Sequence, residues 1–162
     1  MRIYSFIAKL LATDFYIGCI PSALAGRPRS GGGTLGTLFG LALLPLLPEG
    51  RAAYGVFLLA SYAVAVAAAH RTCKDSGVED DQRVVLDETV GYWTAMAWLP
   101  HSWIAMLLGF GLFRIFDGLK PWPIRYVDDR VGGGLGVVLD DVLAGVASNL
   151  VLRLILLLPF LN

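Results

Sequence analysis

The sequence predicts an all-α, multi-pass membrane bundle of short helices with a polar active site on the cytoplasmic side. Three observations lead there. The 162 residues are 56% hydrophobic, with a mean hydropathy of +0.65. Only 16% are charged, against about 25% in an ordinary soluble domain. The apolar residues also fall in long uncharged stretches, as expected where lipid is the solvent. So much apolar surface excludes disorder. A balance of 13 basic and 13 acidic side chains, with no long basic run, argues against a nucleic-acid partner.

The N-terminal segment resembles a signal peptide only superficially, because Lys9 and Asp14 interrupt its apolar run. It reads as a retained amphipathic or re-entrant segment. Leu35–Leu47 is uncharged and closes on Pro48-Glu49-Gly50-Arg51, a strong turn sequence. Ala52–Ala69 is 18 uncharged residues, close to the length of a spanning helix. His70 follows as its C-terminal cap. Thr89–Phe113 is uncharged over 25 residues, but Pro100 divides it into a hairpin of Thr89–Leu99 and Ser102–Phe116. Val142–Leu158 is the last apolar helix, interrupted only by Arg153, and its Ala144, Ala147 and Ser148 allow close packing. The glycine runs Gly31–Gly33 and Gly132–Gly134 read as turns, and the whole chain, 1–162, as one integral-membrane domain.

Basic charge is concentrated in three connections: Arg27 and Arg29; Arg71, Lys74 and Arg83; and Arg114, Lys120, Arg125 and Arg130. An even number of helices separates successive basic loops, so all three fall on one side, the cytoplasmic one. Trp93, Trp98, Trp103 and Trp122 suit packing and interfacial anchoring. Cys19 and Cys73 stand outside any redox or metal spacing.

The acidic residues carry the chemistry. Asp87 and Glu88 open one apolar helix, Asp117 ends another, and Asp140 and Asp141 open the last, all at the same predicted boundary. Acids beside lipid normally pair or line a functional cavity. A carboxylate-only set without a Cys/His cluster suits a hard cation, Mg²⁺ or Mn²⁺. Asp87 or Asp140 could instead act as a helix cap. Yet glycines follow one turn later, Asp87 to Gly91 and Asp141 to Gly145. They clear the face beside each carboxylate for a ligand or another backbone. Arg114 shares a helix face with Asp117, and Lys120 and Arg125 follow. Cations beside a carboxylate-bound metal are what phosphoryl chemistry requires. GGGTLGTL could present backbone N–H groups to phosphate through Gly33 and Thr34, although Thr34 also fits an ordinary N-cap.

FRIFDGLKPWPIRYVDDRVGGGLGVVLDDVLAG, with VVLDETVGYW upstream, resembles the signature of the phosphatidylglycerophosphatase A family. GGGTLGTL is similar to that family's Pro-Gly-Thr-x-Gly-Ser segment, with Gly32 for the proline, Thr37 for the final serine and Ala25–Gly31 as an insertion. The resemblance extends from about Gly18 to the C-terminus. It implies a Mg²⁺-dependent lipid phosphatase of the bacterial inner membrane, converting phosphatidylglycerophosphate to phosphatidylglycerol. Carried over residue by residue, it assigns metal-site roles to Asp87, Glu88, Asp117, Asp140 and Asp141, and phosphate contacts to Arg114 and Lys120. The expected mechanism is hydrolysis by metal-activated water, with Arg125, Gly33 and Thr34 as further substrate contacts. Glu88 is the first candidate for orienting or deprotonating the water, with Asp87 and Asp141 completing the catalytic group.

Two rivals make different demands. A CDP-alcohol phosphotransferase also uses membrane-surface aspartates, but its Asp-Gly-x-x-Ala-Arg is missing, since Asp117-Gly118 continues as Leu119-Lys120-Pro121. A non-enzymatic carrier or assembly subunit would spread charge through membrane depth, whereas here it gathers at one boundary.

Overall fold

The computed structural model describes residues 2–25, 31–78 and 81–157, and among these all regular structure is helical. Helix α1 (Arg2–Ala12) leads through a turn and a 3-10 segment (Ile17–Cys19) into α2 (Ile20–Ala25). Helix α3 (Gly32–Leu43) continues as a 3-10 turn, Leu44–Leu46. There follow α4 (Arg51–Ser76), α5 (Leu86–Ala95), α6 (Trp103–Leu119), α7 (Ile124–Arg130) and α8 (Gly133–Leu156). The expected basic positions Arg27 and Arg29, and the expected helix end at Leu158, lie outside the described residues.

Helices α4 and α8 are long and apolar enough to cross a membrane, and α1 and α2, bent by 76°, make a third span if taken together. The outer faces are apolar: Val56 and Leu59 of α4, Leu107 of α6 and Leu150 and Leu154 of α8 are exposed. Such a surface marks a membrane-associated chain. The first segment is amphipathic and bent, as its sequence indicated.

Two helices differ from their expected limits. Helix α4 runs past Ala69 to Ser76, extended by the Arg71–Asp75 pair at 2.9 Å. It stops at Gly77, whose left-handed φ of 72° lets its N–H reach the Cys73 carbonyl. His70 is therefore an interior residue of the helix and not its cap. Helix α8 starts nine residues before Val142, at Gly133, so the second glycine run is largely helical. Close packing explains this: a Cβ on Gly134 would collide with the His70 backbone. Tertiary contact overrides glycine's low helix propensity there.

At the centre lies α5, ten residues and about 15 Å long, half the depth of a hydrocarbon core. It packs against α8 on one side and α3 on the other. Gly32, Gly36 and Gly40 line the α3 face that meets residues 82–89, and a Cβ on Gly40 would lie 3.2 Å from the Thr89 carbonyl. Trp93 is buried and serves packing, its indole Nε1 donating to the Gly40 carbonyl at 2.9 Å. Trp98, Trp103 and Trp122 are exposed. At its C-terminal end, α5 is closed by α8. The Asn149 amide donates to the carbonyls of Ala95 and Ala97 at 2.8 and 3.0 Å. The Arg153 guanidinium adds a bond to Ala97 at 2.8 Å and braces Asn149 at 2.8 Å.

Candidate active site

The other end of α5 opens into a polar cavity of about 330 Å³. The N-terminal ends of α3, α5 and α8 all line it, and so does the C-terminal end of α6. Three helix N-termini bring partial positive charge to one place. The basic stretch following α6 also lies at this end, and His70 of α4 adjoins it through Gly133.

Helix α5 has Val85 at its N-cap with no side-chain capping bond, and Asp87 and Glu88 follow in its first turn. Asp140 and Asp141 lie two turns inside α8, which excludes capping for Asp140. The glycines beside the acids bring the two helices together. A Cβ on Gly91 would lie 2.9 Å from the Asp141 carbonyl and 2.7 Å from the Phe113 ring. A Cβ on Gly145 would lie 2.8 Å from Thr94 and overlap the Gly91 carbonyl. The cleared faces thus admit another backbone, and this contact sets Asp87 and Glu88 opposite Asp141.

Asp87, Glu88 and Asp141 each offer a carboxylate oxygen within 4.8 Å of the others. Asp87, Asp140 and Asp141 are buried. Asp87 Oδ1, Glu88 Oε2, Asp140 Oδ1 and Asp141 Oδ1 are buried without a hydrogen-bond partner. Four orphaned carboxylate oxygens would be very costly without a compensating positive charge. An oxygen-only donor set, with no Cys or His among the lining residues, fits a hard divalent cation.

The remaining predicted residues are sorted by their partners. Asp117 pairs with Arg114 at 2.8 Å, across the expected three-residue spacing. Arg114 also points Nη1 toward Thr37 Oγ1 at 3.4 Å, and the Thr37 hydroxyl donates to the Gly33 carbonyl at 2.8 Å. A Cβ on Gly33 would lie 3.0 Å from Glu88 Cδ and 3.1 Å from Arg114 Nη1, so only glycine leaves both side chains in place. Lys120 donates from Nζ to Asp140 Oδ2 at 2.6 Å and to Asp128 Oδ1 at 2.8 Å. Burial alone would pull the Lys120 ammonium down, but the two carboxylates outweigh it and hold its pKa above the usual lysine range.

Arg125 and Thr34 are placed differently from the sequence expectation. Arg125 is 77% exposed, 3.9 Å from Asp129, and outside the cavity. Thr34 is exposed on α3, whose N-cap is Gly31. Thr37 and Asp128 were missed by sequence reasoning. Thr37 follows Gly33 by one helical turn, a usable signal. Asp128 gave none, because its direction depends on how α7 docks.

Comparisons with known proteins identify the family. The phosphatidylglycerophosphatase A family model matches residues 10–156. The chain belongs to the phosphatidylglycerophosphatase A family. Membership makes it a phosphatase, a phosphoric monoester hydrolase, as the sequence signature implied. The chain is 39% identical to the Escherichia coli phosphatidylglycerophosphatase A, over 72% of its own length and 69% of that relative. With the Haemophilus influenzae phosphatidylglycerophosphatase A it shares 38%, over 88% and 84% respectively. A Bacteroides thetaiotaomicron protein, provisionally named phosphatidylinositol-3-phosphatase, is 35% identical over 91% of this chain and 92% of the relative. No solved structure matches.

Proposed function

We propose that this chain is a Mg²⁺-dependent phosphatidylglycerophosphatase, a single-domain, multi-pass protein of the bacterial inner membrane whose cavity opens to the cytoplasm. The observation that carries the chemistry is the trio of buried Asp87 and Asp141 with half-buried Glu88, brought within mutual coordination reach and flanked by Arg114 and Lys120. The same family and the same signature support the substrate, and the gathering of basic loops at the cavity end supports the cytoplasmic side.

Asp87, Glu88 and Asp141 would hold the ion, with Asp140 Oδ1 beside them and Asp117 steadying Arg114. A bound divalent cation supplies charge neutralisation to phosphate oxygens and acidifies water. Arg114 and Lys120 bind the phosphomonoester oxygens and favour the charge that develops on them. Gly33 leaves the space in which Glu88 and Arg114 meet. Glu88 takes a proton from the attacking water as its oxygen bonds to phosphorus. The phosphorus–oxygen bond to glycerol breaks, the electron pair leaves with the glycerol oxygen, and the proton held on Glu88 is returned to it. Phosphatidylglycerol and inorganic phosphate result. The acyl chains stay in lipid against the apolar outer faces.

The test is phosphate release from phosphatidylglycerophosphate by the purified protein in detergent, with and without Mg²⁺. Phosphatidic acid and phosphatidylinositol 3-phosphate serve as competitors, the latter because of the Bacteroides relative. Release that is Mg²⁺-dependent and fastest from phosphatidylglycerophosphate supports the reading. Preference for either competitor, or release unaffected by chelation, overturns it.

A further inference from the structure

The Lys120 ammonium carries one positive charge, yet two carboxylates hold it. The two are unequal. Asp140 is 7% exposed at its side chain and belongs to α8, beside the acidic trio. Asp128 is 42% exposed, stands at the cavity mouth on the seven-residue α7, and makes its charged contact to Lys120 alone among the ion pairs described. The backbone of Lys120 ends α6 in the left-handed region, φ 43° and ψ 59°, which fixes where its side chain starts. Lys120 therefore has one buried partner, Asp140, and one exposed partner, Asp128, which is the easier of the two to displace.

A phosphomonoester brings close to two negative charges and three strong acceptor oxygens. Bound at Lys120, it would stand against the Asp128 carboxylate, and like charges at that distance repel. The carboxylate must leave for the phosphate to enter. A phosphodiester carries a single charge and has little advantage over the carboxylate it would displace. On the reading that this cavity takes a lipid phosphomonoester, we infer that Asp128 is a built-in competitor for the phosphate position on Lys120. It yields to a dianionic phosphate group, on the lipid or released as inorganic phosphate, and returns once only a monoanionic diester or the free alcohol remains. Asp128 thus sets the affinity threshold that separates the lipid substrate from its lipid product.

The experiment compares wild type with Asp128→Asn and Asp128→Glu in the full-length protein, with Asp129→Asn as a control of equal charge change outside the cavity. Inorganic phosphate is titrated directly by calorimetry, and KM is measured for phosphatidylglycerophosphate. The expected result is about a two- to fivefold tighter phosphate constant and a KM lowered to match in Asp128→Asn, the scale of one half-exposed ion pair. Asp128→Glu and Asp129→Asn should stay at wild-type values. A purely structural Asp128, holding α7 in place, would move both constants in the opposite direction. Unchanged or weaker phosphate binding in Asp128→Asn, an equal shift in Asp129→Asn, or no saturable phosphate binding in either protein overturns the inference. Lipid turnover by the wild type decides the functional reading separately, because the phosphate titration does not depend on which lipid is hydrolysed.

Discussion

The two ends of the α5–α8 pair are built on opposite principles. At the far end, where α5 stops inside the apolar bundle, its last carbonyls are closed by Asn149 and Arg153, and those two side chains brace each other. At the cavity end the same two helices meet backbone to backbone at Gly91 and Gly145, and four buried carboxylate oxygens are left without partners. One end satisfies its last carbonyls with side chains, while the other leaves these four oxygens unsatisfied beside its ion pairs. Unsatisfied acids at comparable burial destabilise a fold unless a ligand completes them. The comparison separates the groups that build the bundle from those that could hold a cation.

The strongest way to break the contrast is Asp141→Asn. It removes one charge from the trio without changing volume. Turnover should fall by about a hundredfold or more, the scale of losing a preorganised electrostatic group. Thermal unfolding measured without divalent cation should occur at the same or a higher temperature, since surplus buried charge is relieved. A large loss of stability would mean that Asp141 belongs to the structural class.

Next is Gly145→Ala, which forces a methyl group into the helix contact. Overpacking of this kind costs about 1–3 kcal/mol, and displacing Asp87 and Glu88 from Asp141 should lower turnover by about ten- to a hundredfold. Chemical denaturation and steady-state kinetics on one preparation read both effects. Activity equal to wild type would show that the glycine seam does not set the spacing of the acids.

Arg153→Leu examines the far end. Loss of its bonds to Ala97 and Asn149 should destabilise the protein by about 1–3 kcal/mol. Turnover per folded molecule should stay within about twofold of wild type, as for a change distant from the chemistry. A selective loss of kcat would show that the two ends are coupled. Arg125→Ala and Thr34→Ala should have the smallest effects, within about twofold in kcat/KM, as expected of exposed side chains away from the cavity. A larger loss in either would restore the substrate-binding role that the sequence suggested.

What could be read from sequence follows the range of the interaction. The Arg114–Asp117 pair is local to one helix, so its three-residue spacing was sufficient. The glycines one turn after Asp87 and Asp141 were legible as cleared faces, although only the fold shows that a backbone fills them. The pattern of uncharged runs and prolines located α4 and the division at Pro100. It failed at Gly133–Leu139, where contact with α4 makes a helix of a sequence that locally favours turns. It also missed the ridge of Gly32, Gly36 and Gly40, because small residues mean close packing only once their partner is known. Arg125 was expected at the cavity and Asp128 was passed over for the same reason: α7 is too short for its pattern to indicate which side faces the cavity.

The closure of α5 by α8 also bears on how the chain is made. The groups that satisfy Ala97 lie 52 and 56 residues further along. At a synthesis rate of about 5–20 residues per second, that gap lasts roughly 3–11 s. Until the final rod emerges, the end of α5 has bare carbonyls that hydrocarbon does not tolerate. The enzyme's innermost helix is therefore completed only when its last helix has been made.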